Sequence, residues 1–260
     1  MRLRAAFMLL PLAATALLAA GCGDTVSLDP VARAADVTVK QTSEHMTVSA
    51  TITSGTQTVT EAGTGDFQNN PNLGSLTLVA TGAGRAITMN AVLDSTTVYM
   101  SSDAFANQLP NGKTWLKLDY GKTLSSLGLK TSALTSTSPS DALAQLQASG
   151  KVTDDGPATI DGVATTHYTT ILDPSRAAAV EKATKVDVAY GPVEVWVDGQ
   201  GLVRRMHTTS LEQASATVPQ ETTFSMTMTF SNYGEAVHAA VPPDSEVYDA
   251  TGLATALLKK

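Results

Sequence analysis

The chain is short of cysteine. It has one among 260 residues, so no disulfide can form within it, and the fold must rest on burial and backbone hydrogen bonds. Aromatic residues make up only 5% and charged residues 16%. Basic residues are in deficit, with 17 Lys and Arg against 24 Asp and Glu. An acidic, sparsely charged surface argues against nucleic acid and against strong attraction to anionic headgroups. After the first twenty or so residues no apolar run approaches the roughly 20 residues of a membrane-spanning helix.

Chemical motifs are lacking too. His45, His167, His207 and His238 show no metal-ligand spacing, and no cysteine is free to help, so no metal or cofactor is expected. There is no Gly-x-Ser-x-Gly elbow, and Gly82-Ala83-Gly84 is a turn with no phosphate-binding helix after it. Asp24 lies in a polar tether, and Asp154-Asp155 lies in a turn-like stretch. Neither reads as a catalytic carboxylate pair, and the chain is not read as an enzyme.

What is present begins with the single cysteine. Arg2 and Arg4 open the chain, an apolar run follows, and Leu17-Leu18-Ala19-Ala20-Gly21-Cys22 closes it. A basic start, a short apolar stretch and small residues before a cut site make residues 1–21 a secretory signal peptide. Cys22 then sits where a lipobox cysteine is acylated, although Ala19 stands where leucine is usual. The alternative is ordinary secretion with a leftover thiol, a liability in an oxidising compartment. Lipidation of Cys22 would anchor the protein at the outer face of the cytoplasmic membrane, and two or more acyl chains make such anchoring stable.

Residues 22–30 form the tether, and 31–250 read as one mainly β domain. Pro30 suits the first turn of a helix over Val31 to Met46, with Val31, Ala34, Ala35 and Thr38 on one side; a disordered linker is the alternative. From Met46 the period becomes two. Met46, Val48, Ala50 and Ile52 alternate with Thr and Ser, and Leu76 to Ala80, Ile87 to Leu93, and Val98 with Met100 repeat the pattern. Alternation of this kind marks antiparallel strands with one wet face. Ser54-Gly55, Ala62-Gly63, Asn69 to Asn72 and Gly82 to Gly84 read as turns between them. A strand through Trp115-Leu116-Lys117-Leu118 precedes an insertion near 121–150. It carries a short helix at Ser140 to Gln147, which is either a lid or a helix packed over the sheet. Strands resume at Lys151 to Ile160, Val163 to Leu172, Val193 to Val197, Leu202 to Leu211 and Phe224 to Tyr233. A helix is expected from Pro174 to about Lys185, Val241-Pro242-Pro243 ends the sheet, and 251–260 forms a tail.

Four stretches, in this order, carry a family resemblance. They are Val98-Tyr99-Met100 with Trp115 to Asp119; Asp161-Gly162-Val163 through His167-Tyr168; Val195-Trp196-Val197-Asp198-Gly199 through Arg204; and Pro242-Pro243-Asp244. Behind a lipobox, this layout resembles the LppX/LprAFG lipoproteins, which are similar to the LolA/LolB lipoprotein carriers. The resemblance implies a curved antiparallel half-barrel of about 10–11 strands, with a few helices over its concave face. It implies an apolar cavity for lipid, palmitate-like chains or lipidated molecules, traffic across the cell envelope, a monomer, and no catalytic residues.

The best candidate lining is Phe224, Met226, Met228 and Phe230, which alternation puts on one strand face, together with Met89, Met100, Leu116 and Leu118. Methionine adapts to irregular partners. The same face could equally pack on a helix as ordinary core, with the domain serving as an accessory or sensor ectodomain for a protein or cell-wall partner. His167 and His207 fall on the opposite, wet face, and Trp196 is expected to cover the outside of the sheet, because Val193, Val195 and Val197 claim the other side.

Overall fold

A computed structural model describes residues 30–126, 149–172, 188–214 and 220–258. The expected signal peptide, Cys22, most of the expected insertion with its short helix, and the helix expected from Pro174 lie outside the described residues.

Helix α1 (Pro30–Thr38) leads into β1 (Ser43–Ser54), β2 (Gln57–Asn69), β3 (Asn72–Gly82), β4 (Arg85–Asp94), β5 (Thr97–Ser101) and β6 (Trp115–Asp119). Helix α2 (Tyr120–Ser126) follows. The second half supplies β7 (Ser149–Ile160), β8 (Val163–Leu172), β9 (Val188–Asp198), β10 (Val203–Glu212), β11 (Thr222–Ser231), β12 (Val247–Asp249) and α3 (Thr251–Leu258).

All the strands join one curved, open sheet of 12 strands in the order β12-β6-β5-β4-β3-β2-β1-β11-β10-β9-β8-β7. Each half is a meander, and β1 against β11 joins the two halves along the middle of the sheet. Every pairing is antiparallel except β12 on β6. The mainly β class read from composition is the class observed, with strands one or two more than expected.

Helix α1 is shorter than the sequence predicts. It stops at Thr38, and β1 is already under way at Ser43. Val37, Thr38 and Val39 are β-branched and favour extended backbone. The anticipated inner side is correct: Val31, Ala34, Ala35 and Thr38 are all buried. Thr38 also fixes the helix to the sheet, because its hydroxyl donates to Ala34 O (2.7 Å) and accepts from Val203 N–H (2.9 Å).

Ala62-Gly63 is not a turn. It lies in the middle of β2, a strand whose inward positions include Gly63 and Gly65. A Cβ on Gly63 would stand 2.6 Å from Thr77 O, and one on Gly65 would stand 2.3 Å from Ser75 O. Those glycines let β2 and β3 lie close together. Val241-Pro242-Pro243 does not end the sheet either, since β12 pairs with β6 beyond it.

The anticipated turn at Asp198-Gly199-Gln200-Gly201 forms as read. Asp198 Oδ1 accepts from Gln200 N–H (2.8 Å) and Leu202 N–H (3.0 Å), and Oδ2 accepts from Arg204 Nε (2.6 Å). Val193, Val195 and Val197 behind it are buried, and Trp196 faces outward. The core is one cluster under α1, built around Val31, Met46, Phe67, Val195, Met206 and Phe230.

Candidate functional site

Residues directly opposite in an antiparallel pair share a face of the sheet. The register can therefore be followed across the strands in rows. One row runs Met206, Met228, Val48, Gly63, Leu78 and Met89. The next runs Phe230, Met46, Gly65, Leu76, Ala91, Met100 and Leu116. Val98 and Leu118 lie in a third row, and Met226 and Phe224 are in rows on the other side of Met228. The eight residues singled out from the sequence thus stand on a single face.

Burial divides that face into two parts. Under α1 it is filled, with Phe230 1% and Met228 6% exposed, so these two are core residues. Away from α1 the apolar side chains are only partly covered. Ile52, Leu78, Met89, Phe224 and Met226 are half-buried, and Ile87 is 47% exposed. Polar groups enter at this far end. Glu61 lies between Ala50 and Ala80, and Arg85 faces Gly82. The arrangement is an apolar trough, floored at one end by core and edged at the other by charge. Alternating apolar residues on paired strands produce it, and the two β2 glycines keep a flat stretch in its floor.

The opposite face is polar. His167 stacks on Trp196 with ring centroids 4.3 Å apart, and its Nε2 is 3.4 Å from Glu194 Oε1. His207 Nδ1 meets the Thr227 hydroxyl at 3.0 Å. Asp154 and Asp155 lie within β7 and not in a turn, at a bulge where Thr169 donates to Asp155 Oδ2 (2.6 Å). Trp115 falls on the face away from Leu116 and Leu118, as alternation along β6 requires. Among the described residues no three His, Cys, Asp or Glu side chains converge as a metal site requires, and no helix is long and apolar enough to cross a membrane.

Sequence reasoning missed Glu44. It belongs to the apolar face, two residues before Met46 and opposite Phe67, and it is 1% exposed. Its Oε2 accepts from Asn69 Nδ2 (3.0 Å), while Oε1 has no hydrogen-bond partner among the described residues. The one available signal was its inward register, two places from Met46. Burial pushes the carboxyl up from 4.5 to about 7, against a smaller opposing pull from the Asn69 hydrogen bond. Burial also raises the neighbouring Tyr233 hydroxyl, and the Glu44 charge adds to it. That hydroxyl donates to Val203 O.

A raised carboxyl makes stability fall with pH. The contribution of protonated Glu44 is complete below 4.5, declines as pH rises through about 7, and is gone above it. The expected loss is about 3 kcal/mol between pH 4 and 8. Urea unfolding of Glu44→Gln across that range should show a shallower decline than the parent; an identical decline would remove Glu44 as its source.

Comparison with known proteins gives a family model and a set of solved folds. A model described as LppX_LprAFG lipoprotein matches residues 26–239. The chain is similar to the crystal structure of Mycobacterium tuberculosis lipoprotein LppX, at 17% identity and a TM-score of 0.50, covering 84% of this chain and 100% of that one. It is also similar to LprF from Mycobacterium bovis, at 14% identity and a TM-score of 0.45, covering 82% and 95%. A putative outer membrane lipoprotein-sorting protein domain from Vibrio parahaemolyticus aligns at 8% identity with a TM-score of 0.30, covering 80% and 92%. No curated protein sequence matches the chain.

Proposed function

The chain belongs to the LppX_LprAFG lipoprotein family, and from that premise we propose that it holds the acyl chains of a lipid or lipidated molecule against its apolar sheet face. The observation that carries this reading is the half-buried stretch of Ile52, Leu78, Met89, Phe224 and Met226 on one face of an open sheet. Aliphatic, thioether and aromatic side chains in neighbouring rows, with Glu61 the charged group among them, suit a flexible hydrocarbon and place no demand on its exact shape. Acylated Cys22 tethers the domain outside the cytoplasmic membrane, and the polar tether to Pro30 is short enough to keep it near the bilayer.

The energetics ask little of such a site. A chain of about 16 carbons gains on the order of 13 kcal/mol by leaving water. In a bilayer that gain is already present. A protein that takes lipid from one membrane and releases it elsewhere needs only to match the bilayer, and very tight binding would hinder release. Adaptable methionines and a trough open along one side meet that requirement.

Native mass spectrometry of the full chain, released gently from mild detergent after exposure to membrane lipids, tests the proposal. One acyl-bearing species per protein is the expected result. A clean apo mass under conditions that preserve the fold would sink the carrier reading and favour the accessory or sensor ectodomain.

A further inference from the structure

Two neighbouring hairpins turn at the open end of the trough, β1–β2 at Gly55-Thr56 and β3–β4 at Ala83-Gly84. Charge is nearly missing from them. Residues 46–60 contain no Lys, Arg, Asp or Glu, and residues 67–93 contain Arg85 alone. The chain has 24 acidic residues, so its acidity is carried elsewhere and this end is set apart from it. The carboxylate at this end of the two hairpins is Glu61, half-buried on the trough side of β2, two strands from Arg85.

The β3–β4 tip is poorly suited to water. Ala83 and Gly84 both have positive φ, 48° and 74°, as in a type I′ turn, which favours Asn, Asp or Gly. Alanine there accepts a backbone cost that asparagine largely avoids, and it leaves the tip without a polar side chain. Large apolar groups are exposed on both faces of this hairpin. Ile87 (47%) lies on the trough side, and Val79 (37%) lies on the other. The trough accounts for the first and not for the second, which sits on the face expected to be wet.

Arg85 supplies the complementary charge. Lys117, Lys122 and Arg204 each stand beside an aspartate, at 3.5, 3.0 and 2.6 Å. The Arg85 guanidinium is exposed and has no ion pair or hydrogen bond among the described residues. A free guanidinium next to an uncharged, apolar tip fits a surface that offers phosphate and hydrocarbon together. An acidic peptide would answer the arginine and leave the alanine tip and the two bare aliphatic groups without a partner.

We infer that the β3–β4 tip docks on a lipid bilayer bearing anionic headgroups, with Ala83-Gly84 at the acyl boundary and Arg85 on the phosphates. Ile87 stands two positions along β4 from Arg85, about 7 Å away. Docking brings it to headgroup level at the mouth of the trough, with Met89 next on the same face. The contact fixes which end of the trough meets the membrane. It does not require that the trough be filled.

Ala83→Trp in the full chain tests the contact, on vesicles of phosphatidylcholine and phosphatidylglycerol whose acyl chains carry bromine. Tryptophan emission should be quenched in this variant. Gln200→Trp, at an exposed turn of the α1 end, should add no quenching to that of the parent. Adding Arg85→Glu to Ala83→Trp should weaken the contact about fivefold or more. Met89→Asp, which disables the trough, should leave the quenching at position 83 in place, so docking and acyl-chain binding can fail separately. Hydrogen exchange of the unaltered chain gives a second reading that no variant can confound: amides 83–86 should slow on these vesicles, and amides 199–202 should not. Equal quenching at 83 and 200, no effect of Arg85→Glu, quenching lost with Met89→Asp, or unchanged exchange at 83–86 would overturn the inference.

Discussion

Met89→Asp is expected to weaken lipid binding by at least about a hundredfold, or 2.8 kcal/mol, while Ile171→Asp leaves it unaltered. Met89 stands in a row whose other members, Met206, Met228, Val48, Gly63 and Leu78, bring no polar side chain. A carboxylate there would be desolvated by any hydrocarbon laid along the row, which costs several kcal/mol without a partner. Ile171 carries the same kind of apolar group on the opposite face and is 55% exposed, so an aspartate there reports only the change in net charge. Met89→Leu, which keeps volume and apolarity, should bind as the parent does. Equal occupancy in Met89→Asp and the parent, measured as bound fraction in native mass spectra, would mean that the ligand lies somewhere other than this face.

The second large effect is on the fold itself. Phe230→Ala should cost about 4 kcal/mol of stability, within the range for removing a fully buried phenyl ring. The ring is 1% exposed and belongs to the cluster that joins Val31 of α1 to Met46, Phe67 and Val195. Phe224→Ala, six residues earlier on the same strand face, should cost less than half as much, because that ring is already half-buried. Urea midpoints of the two variants decide the matter. Equal losses would show the face to be uniformly packed, without the graded burial that distinguishes trough from core.

The elements that could be read from sequence are those whose inward residues are apolar. β1, β3, β4, β9 and β11 alternate visibly, and Val193, Val195 and Val197 fixed both the strand and the outward placing of Trp196. β2 was hidden for a physical reason. Its inward positions are Val59, Glu61, Gly63, Gly65 and Phe67, so the side that faces the core carries almost no apolar pattern, and glycines that serve close strand approach look like turn residues. β12 was hidden by length, since three residues cannot display a period, and its parallel pairing leaves no hairpin signal. The helix at 31–46 was overdrawn because its buried stripe, Val31 to Thr38, ends where the strand pattern begins. The trough was legible as an alternation at 224–230. What sequence alone could not supply was the gradient of burial along it, because that depends on α1 covering one end only. Glu44 escaped because its one signal, the inward register two places before Met46, is outweighed by its charge and its polar neighbours.

A sheet of this width that does not close on itself has two margins without a strand partner among the described residues, each a row of backbone groups ready to recruit a strand from another molecule. Both margins are defended by shape. β7, at one end of the order, is interrupted by register shifts at Ser149/Val152 and at Asp154/Gly156, and Pro157 removes a backbone donor directly after the second. Asp154 and Asp155 place negative charge beside it. At the other margin β12 is only three residues long, and α3 begins two residues after it ends. Neither margin offers a straight, uncharged template long enough to seed strand-by-strand growth. Straightening β7, for instance by removing its bulge residue and its proline together, would make the domain prone to stack edge to edge.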